Sequence, residues 1–427
     1  MVTTTNDRLG RSGPTAAEQS ELVLGFIPLT DCAPLAIAAE KGYFAGYGLS
    51  VRLSREPSWA NIRDKLCCGL LDGAQMLAAM PLALSLGGDA FRQPVMTALS
   101  LSLNGNAITV SETLYRRMLE ADPTAMAQAP VSALALKKVI DADRSAGRES
   151  LRFAMVFPFS SHNYLLRYWL ASAGIDPDRD LRLSVVPPPA VTSALRDGRI
   201  DGYCVGEPWN GAAVAEGVGR IVIASCEIWN NHPEKVLGVT REWAEAYPAT
   251  HRALLMALIE ACHWLDQPDN RAEAARILAG PAYLNAPQSV VAASLQGRVA
   301  YATGQSPREM PDFHVFHRYA ANFPWLSHGE WLITQMLRWG QLPPPVDIKR
   351  AAEVYRPDLF RLAAQELGLP CPPCDRKVEG VHEQPWLLAT STDSFTLGAD
   401  RFFNGAVFGA AEEEYPSVHR AGNGRPG

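Results

Sequence analysis

Six polar or aromatic residues fall where strand-like runs of this chain end: Trp59, Asn106, His162, Glu207, His232 and Lys235. A lysine offers a point charge with three donors, while histidine and asparagine add directional hydrogen bonds. An indole face can close a small site and exclude water, which strengthens each polar contact inside it. Helix N-termini after PFSSH and VPPP add backbone N–H donors at the positive end of the helix dipole. The set suits a small planar oxyanion. Each member also has a plain structural role: Trp59 as packing, His162 as a core or capping residue, Lys235 as a solvated loop lysine. Asn104-Gly105-Asn106 reads most simply as a turn, because Asn and Gly tolerate positive φ.

No nucleophile accompanies these residues. A G-x-S-x-G elbow, a P-loop, H-E-x-x-H and a strand-borne G-x-G-x-x-G are all absent, so the chemistry is binding without turnover. His314 and His317 read as an exposed helix face, since a metal pair needs further ligands. Cys371-Pro-Pro-Cys374 lies in a proline-rich segment with no second pair at zinc spacing and reads as an incidental loop pair.

Repeated strand–loop–helix units must position these side chains. Strands are predicted over 22–27, 50–53, 73–77, 151–157, 183–186 and 201–205, and helices over 34–41, 58–70, 163–173 and 190–196. Another helix begins at 207. Beyond about Trp243 the pattern is mostly helical, over 252–266, 271–278 and 329–339. The expected class is therefore α/β, with loops gathered at the carboxyl ends of strands, where open sheets bind ligands.

The chain has 427 residues, 47% hydrophobic and 20% charged, with 39 Lys+Arg against 45 Asp+Glu and a net charge of −6. That excludes global disorder and a basic nucleic-acid-binding face, and allows roughly two or three domains. The first twenty residues hold no apolar segment of secretory type, and no run approaches the ~18 apolar residues of a membrane span. Most of the eight cysteines sit in apolar contexts. The expectation is a reduced, cytoplasmic chain.

The runs LGFIPLTDCAPLAIAAEKGYF, SWANIRDKL, SLNGNAITV, FPFSSHNYLLRYWLASAGIDPD, VVPPP, DGYCVGEPWN and NHPEKVLGV stand in that order. The chain resembles the substrate-binding proteins of nitrate and bicarbonate ABC importers over 22–359, with a weaker echo at RFFNGAVF. The resemblance implies a two-lobed, type II periplasmic-binding-protein-like clamshell with C-terminal helical additions. Lobe 1 is expected over 21–107 and 236–369 and lobe 2 over 108–235. A flexible tail over 1–20 and an extension over 370–427 with a disordered end complete the division.

Ligand-binding roles fall by resemblance on Trp59, Gly105, Asn106, His162, Pro188 and Lys235. The nitrate transport proteins typically carry Gln where Asn106 stands, so the arm here is one methylene shorter. Retention of Lys235 favours nitrate or nitrite, because bicarbonate binders place an acidic residue and a metal there. No cofactor or metal is expected. With no secretory segment visible, the chain is similar to the cytoplasmic nitrate/nitrite sensors of the NasS branch. That branch implies one further partner, a NasT-like RNA-binding antiterminator with an ANTAR domain, sequestered without ligand and released by it. Direct nucleic-acid and membrane contacts are not expected. The alternative is the nitrate-binding component of an importer whose signal sequence is missing. An enzyme of the thiamine-pyrimidine type, which shares this fold, lacks support in the residues. Lys235→Ala is expected to abolish the response to nitrate and leave the fold intact.

Overall fold

Alternation of buried and open side chains starts the first strand, β1 (Glu21–Phe26), where Leu22, Leu24 and Phe26 face the core. It pairs in parallel with β2 (Ser50–Arg55) and β3 (Gly73–Leu77). β4 (Val95–Asn104) is buried along its whole length. Its sequence, VMTALSLSLN, alternates Leu99, Leu101 and Leu103 with Ser100, Ser102 and Asn104, a period-two strand pattern, and both faces are covered.

The chain then passes into a second sheet: β5 (Asn106–Ser111), β6 (Arg152–Met155), β7 (Arg182–Val185), β8 (Gly202–Gly206) and β9 (Gly219–Ala224). It returns through β10 (Pro233–Thr240) and the short β11 (His314–Val315). In this computed structural model, which describes residues 16–89, 91–389 and 394–409, the first sheet has the order β11-β4-β10-β3-β1-β2. The second has the order β7-β6-β8-β5-β9. Helices cover both sheets, giving the expected α/β class with two lobes. The C-terminal helix Pro357–Glu366 packs on lobe 1, and helix Leu326–Arg338 lies against Tyr355 on one side and Tyr168 of lobe 2 on the other.

The stretch predicted as a simple turn is the passage between the sheets. Asn104 has φ 61° and Gly105 has φ 91°, so the backbone reverses there in a region that favours glycine. A Cβ on Gly105 would stand 2.4 Å from His314 Cε1. This strand assignment puts Asn106 in the five-stranded sheet and Lys235 in the six-stranded one, on the opposite sides from those given by boundaries at 107/108 and 235/236.

Other segments also differ from the sequence reading. His314 is buried on β11 opposite Asn104, so it shares no helix face with His317. Pairing to the free edge of β4 outweighs the local pattern there. Glu18 and Gln19, assigned to a flexible tail, dock on lobe 1. The Glu18 carboxylate accepts from the backbone N–H of Ala249 and Thr250 at 2.9 and 2.8 Å, at the N-terminus of helix Pro248–Asp266 where the dipole favours an anion.

The C-terminal extension is packed as well. A hairpin joins Trp386–Ala389 to Ser394–Leu397. Phe402 stacks on Trp229 at 4.8 Å and lies 5.7 Å from Tyr168 and 6.2 Å from Trp331. The expected disordered end, 417–427, lies outside the described residues. All eight cysteines are free thiols. Among the described residues no helix is long and apolar enough to cross a membrane.

Candidate functional site

Residues from both lobes meet in a dry cluster of charges at the sheet crossover. Lobe 1 supplies Asp31, from the 3₁₀ turn Thr30–Cys32 after β1, and Trp59, the first residue of helix Trp59–Cys67. It also supplies Gln75 on β3 and the adjacent Glu234 and Lys235 on β10. Lobe 2 supplies Asn106 at the start of β5, and Ser161 and His162 in the first turn of helix Ser161–Ser172. None of these side chains has more than about 1% of its surface exposed.

Local structure explains why each side chain points inward. Ser58 caps the helix bearing Trp59 by accepting from Asn61 N–H at 3.3 Å. Ser160 does the same for the helix bearing His162, accepting from Asn163 N–H at 3.0 Å. Both caps pin the turn that holds the functional side chain. β10 carries register shifts at Pro233/Lys235 and Lys235/Val236. That irregularity lets neighbouring Glu234 and Lys235 turn towards one region, which a regular strand would forbid.

The polar contacts centre on Lys235. Its Nζ lies 2.8 Å from Asp31 Oδ2, donates to Glu234 Oε1, and stands 5.4 Å from the Trp59 ring. Glu234 reaches across to lobe 2: its Oε2 accepts from Asn106 Nδ2 at 2.5 Å and from the Ser161 hydroxyl. His162 Nε2 is 3.4 Å from Glu234 Oε1, and His232 Nδ1 is 3.8 Å from Oε2. Asp31 has a sparser shell: Gln75 Nε2 donates to its Oδ1 at 2.6 Å, while Gln75 Oε1 accepts from Ile27 N–H.

Electrostatics follow from burial and these partners. Burial pushes the Asp31 carboxyl up to about 6 despite Lys235. Burial acts on Glu234 in the same sense, but His162, Lys235 and His232 outweigh it and hold that carboxyl at about 2. Burial lowers Lys235, and its two carboxylate neighbours more than reverse this, so it stays charged. Burial drives His162 down to about 3 and His232 to about 4, so both are neutral at pH 7. The cluster thus holds two carboxylates against one ammonium. Trp59 Nε1, both ring nitrogens of His162 and Asn106 Oδ1 are buried without a protein hydrogen-bond partner. Trp59 Nε1 and the protonated ring nitrogen of neutral His162 are the unpaired donors of this set, while Asn106 Oδ1 is an acceptor; unpaired buried donors beside a cation are a receptive environment for a small anion.

Of the residues singled out by sequence, Trp59, Asn106, His162 and Lys235 come together. Gly105 adjoins them through the chain, and His232 flanks Glu234. Glu207 stands apart: its carboxylate accepts from Gly211 N–H at 3.0 Å, and burial pushes it up to about 7. Pro188 is buried in the turn Pro188–Ala190 after β7, and no hydrogen bond joins it to the cluster among the described residues. Sequence reasoning missed Asp31, Gln75, Ser161 and Glu234. Glu234 sits beside Lys235 in the chain, which was its only available signal; Asp31 and Gln75 gave none. Among the described residues, no group of three or more His, Cys, Asp or Glu side chains is arranged to hold a metal ion.

The chain matches the NMT1-like family over residues 15–279. It is 43% identical over 361 residues to the nitrate import ATP-binding protein NrtC of Synechocystis, covering 84% of this chain and 52% of that protein. The chain thus spans about half the length of such relatives. It is 37% identical over 369 residues to the nitrate/nitrite binding protein NrtA of Synechococcus elongatus, covering 84% of this chain and 81% of that one. The crystal structure of the periplasmic nitrate-binding protein NrtA from Synechocystis superposes with a TM-score of 0.81 at 31% identity, over 92% of this chain and 96% of that chain. The two lobes, the crossover at Gly105 and these matches together place the chain in the NMT1-like family, among the NrtA-like substrate-binding proteins with the periplasmic-binding-protein fold.

Proposed function

We propose that this protein binds nitrate or nitrite between its lobes, at the cluster of Lys235, His162, Asn106 and Trp59. One observation carries the reading: an ammonium and unpaired buried donors from both lobes converge on one water-excluding region. The relatives are named for binding or importing nitrate and nitrite, which supports the ligand class. Binding at a lobe interface favours the closed form, because a ligand shifts an equilibrium by its differential affinity for the two states.

The proposed role is that of a cytoplasmic sensor. Without ligand the protein holds a NasT-like RNA-binding antiterminator; with ligand it lets go, and nitrate-assimilation genes are transcribed. The net charge of −6 suits a partner with a basic RNA-binding surface. A ~100-fold preference of the anion for the released state supplies about 2.7 kcal/mol of coupling, and the partner must weaken anion binding by the same factor. The import function in the relatives' names supports the second reading, a solute-binding component of a nitrate importer.

Titration calorimetry with nitrate, nitrite and bicarbonate, with and without the antiterminator, tests both levels. Binding of the first two but not bicarbonate is expected, weakened by the partner. Unchanged affinity in the partner's presence sinks the sensor role, and no binding of nitrate or nitrite sinks the ligand assignment.

A further inference from the structure

Lys235 is not a free cation. Its ammonium already faces Asp31 Oδ2 at 2.8 Å and Glu234 Oε1, within a cluster where no side chain reaches solvent. Adding a monoanion to two carboxylates and one ammonium in a dry region concentrates three negative charges around one positive charge. Such an excess is expensive at low dielectric, and buried groups escape it by changing protonation. Nitrate is the anion of a strong acid and cannot bring the proton itself. The protein must take it from solvent.

We propose, resting on the anion-binding reading above, that Asp31 is the competitor the anion must displace from Lys235, and that anion binding is accompanied by uptake of one proton onto Asp31. The proton comes from bulk water and ends on a carboxylate oxygen of Asp31; no covalent bond to the anion forms. As Asp31 becomes neutral, the donor of Lys235 that faced it turns to the anion.

Geometry selects Asp31 over its neighbours. Glu234 accepts from Lys235, Asn106 and Ser161 and has His162 at 3.4 Å, so its negative charge is well solvated by the protein. Asp31 has Gln75 and Lys235 alone. The charged groups that act on Asp31 are Lys235 and Glu234 on β10. His162 on helix Ser161–Ser172, His232 and His314 on lobe 1, and Cys204 on β8 lie around that Glu234–Lys235 pair. Cys32 follows on its own turn, and burial raises both thiols. Burial holds all three histidines neutral far below pH 7, whereas Asp31 already sits near 6 and needs the smallest push.

The test is calorimetry of the full chain with nitrate at pH 6, 7 and 8, each in two buffers of different ionisation enthalpy. The expected wild-type result is uptake approaching one proton at pH 7–8, with affinity falling by up to about tenfold per pH unit above 6. Asp31→Asn, which removes the competing charge, is expected to bind nitrate more tightly than wild type at pH 8, with no pH trend and no buffer-dependent heat. Nitrate affinity that is flat from pH 6 to 8 with no proton uptake in the wild type overturns the proposal even if the variant fails to fold. Undiminished uptake by Asp31→Asn overturns the assignment to Asp31. Failure of nitrate to bind at any pH overturns the anion-binding reading, a result distinct from binding without a proton.

Discussion

Lys235 shows how far a residue's role depends on what surrounds it. In the sequence it offered a cation for an anion; in the structure it also neutralises Asp31 and Glu234, both buried. Removing one partner of a buried ion pair leaves an uncompensated charge, at a cost of about 3–5 kcal/mol. Lys235→Ala therefore does more than silence binding: it is expected to lower unfolding stability in urea by about that amount and to abolish nitrate binding. A fully stable variant without binding would show that the carboxylates find solvent or protons on their own. The expectation of an intact fold was drawn without Asp31, which is distant in sequence from Lys235 and invisible to any spacing argument.

At the scale of elements, the site depends on two capped helices and one reversal. Ser160 satisfies an orphan N–H in the turn that carries His162, so Ser160→Ala is expected to cost about 1 kcal/mol in chemical denaturation and to weaken nitrate binding. The crossover at Gly105 is less forgiving. Its φ of 91° is rare for an L side chain, and a methyl group would meet the His314 ring. Gly105→Ala is expected to cost about 1–3 kcal/mol from backbone strain alone, measured as a shift of the urea midpoint, with anion affinity reduced because Asn106 follows directly. A neutral substitution would mean that His314 can move aside.

The strands β1 and β3 and the helices opening at Trp59 and His162 were legible to within a few residues, because each shows strong local periodicity or a clear cap. β4, β5, β9 and β10 were not. β4 went unread although Leu99, Leu101 and Leu103 alternate with Ser100, Ser102 and Asn104 as a strand requires, and it is buried on both faces. β10 is broken by register shifts, and these shifts put Glu234 and Lys235 in one place.

At the scale of the whole molecule, the C-terminal extension ties the parts together. Phe402 packs against Trp229 in the return to lobe 1, Tyr168 of lobe 2 and Trp331 of helix Leu326–Arg338. Backbone bonds from Asn230 N–H to Arg401 O and from Phe403 N–H to Ile228 O reinforce it at 3.1 and 2.9 Å. Phe402→Ala is expected to lower stability by about 3–5 kcal/mol in urea and to weaken anion binding, since the contact spans both lobes. The extension shows no periodicity because single aromatic anchors and buried ion pairs, such as Glu379 with Lys377, hold it in place.

Buried histidines set the pH response of the fold. His162 and His314 are held down at about 3, and His232 and His251 at about 4, all by burial. Below 6.5 the unfolded chain protonates these four while the native state does not, so stability rises with pH between about 4 and 6.5. Asp31 and Glu207 act in the opposite sense, because burial raises both, and the native state gains protons first as pH falls through about 7 and 6. These four histidines lose about 5 kcal/mol between pH 7 and 5.5 and the two carboxyls return about 2. Burial lowers His317 and His328 too, which adds in the same sense. A net fall of at least about 2–3 kcal/mol is expected in urea unfolding, and His251→Gln, remote from the cluster, should reduce it by about one histidine's share. A flat profile would contradict the neutral burial of these side chains.

Sequence by itself determined the α/β class, the order of the motifs and four of the residues that meet in the charge cluster, because residue type, caps and periodicity are local properties. Only the tertiary structure decided the balance of charge around them. Asp31, Glu234 and Lys235 converge through a sheet crossover and a strand irregularity, and in a dry interior that convergence sets which of these groups carry charge.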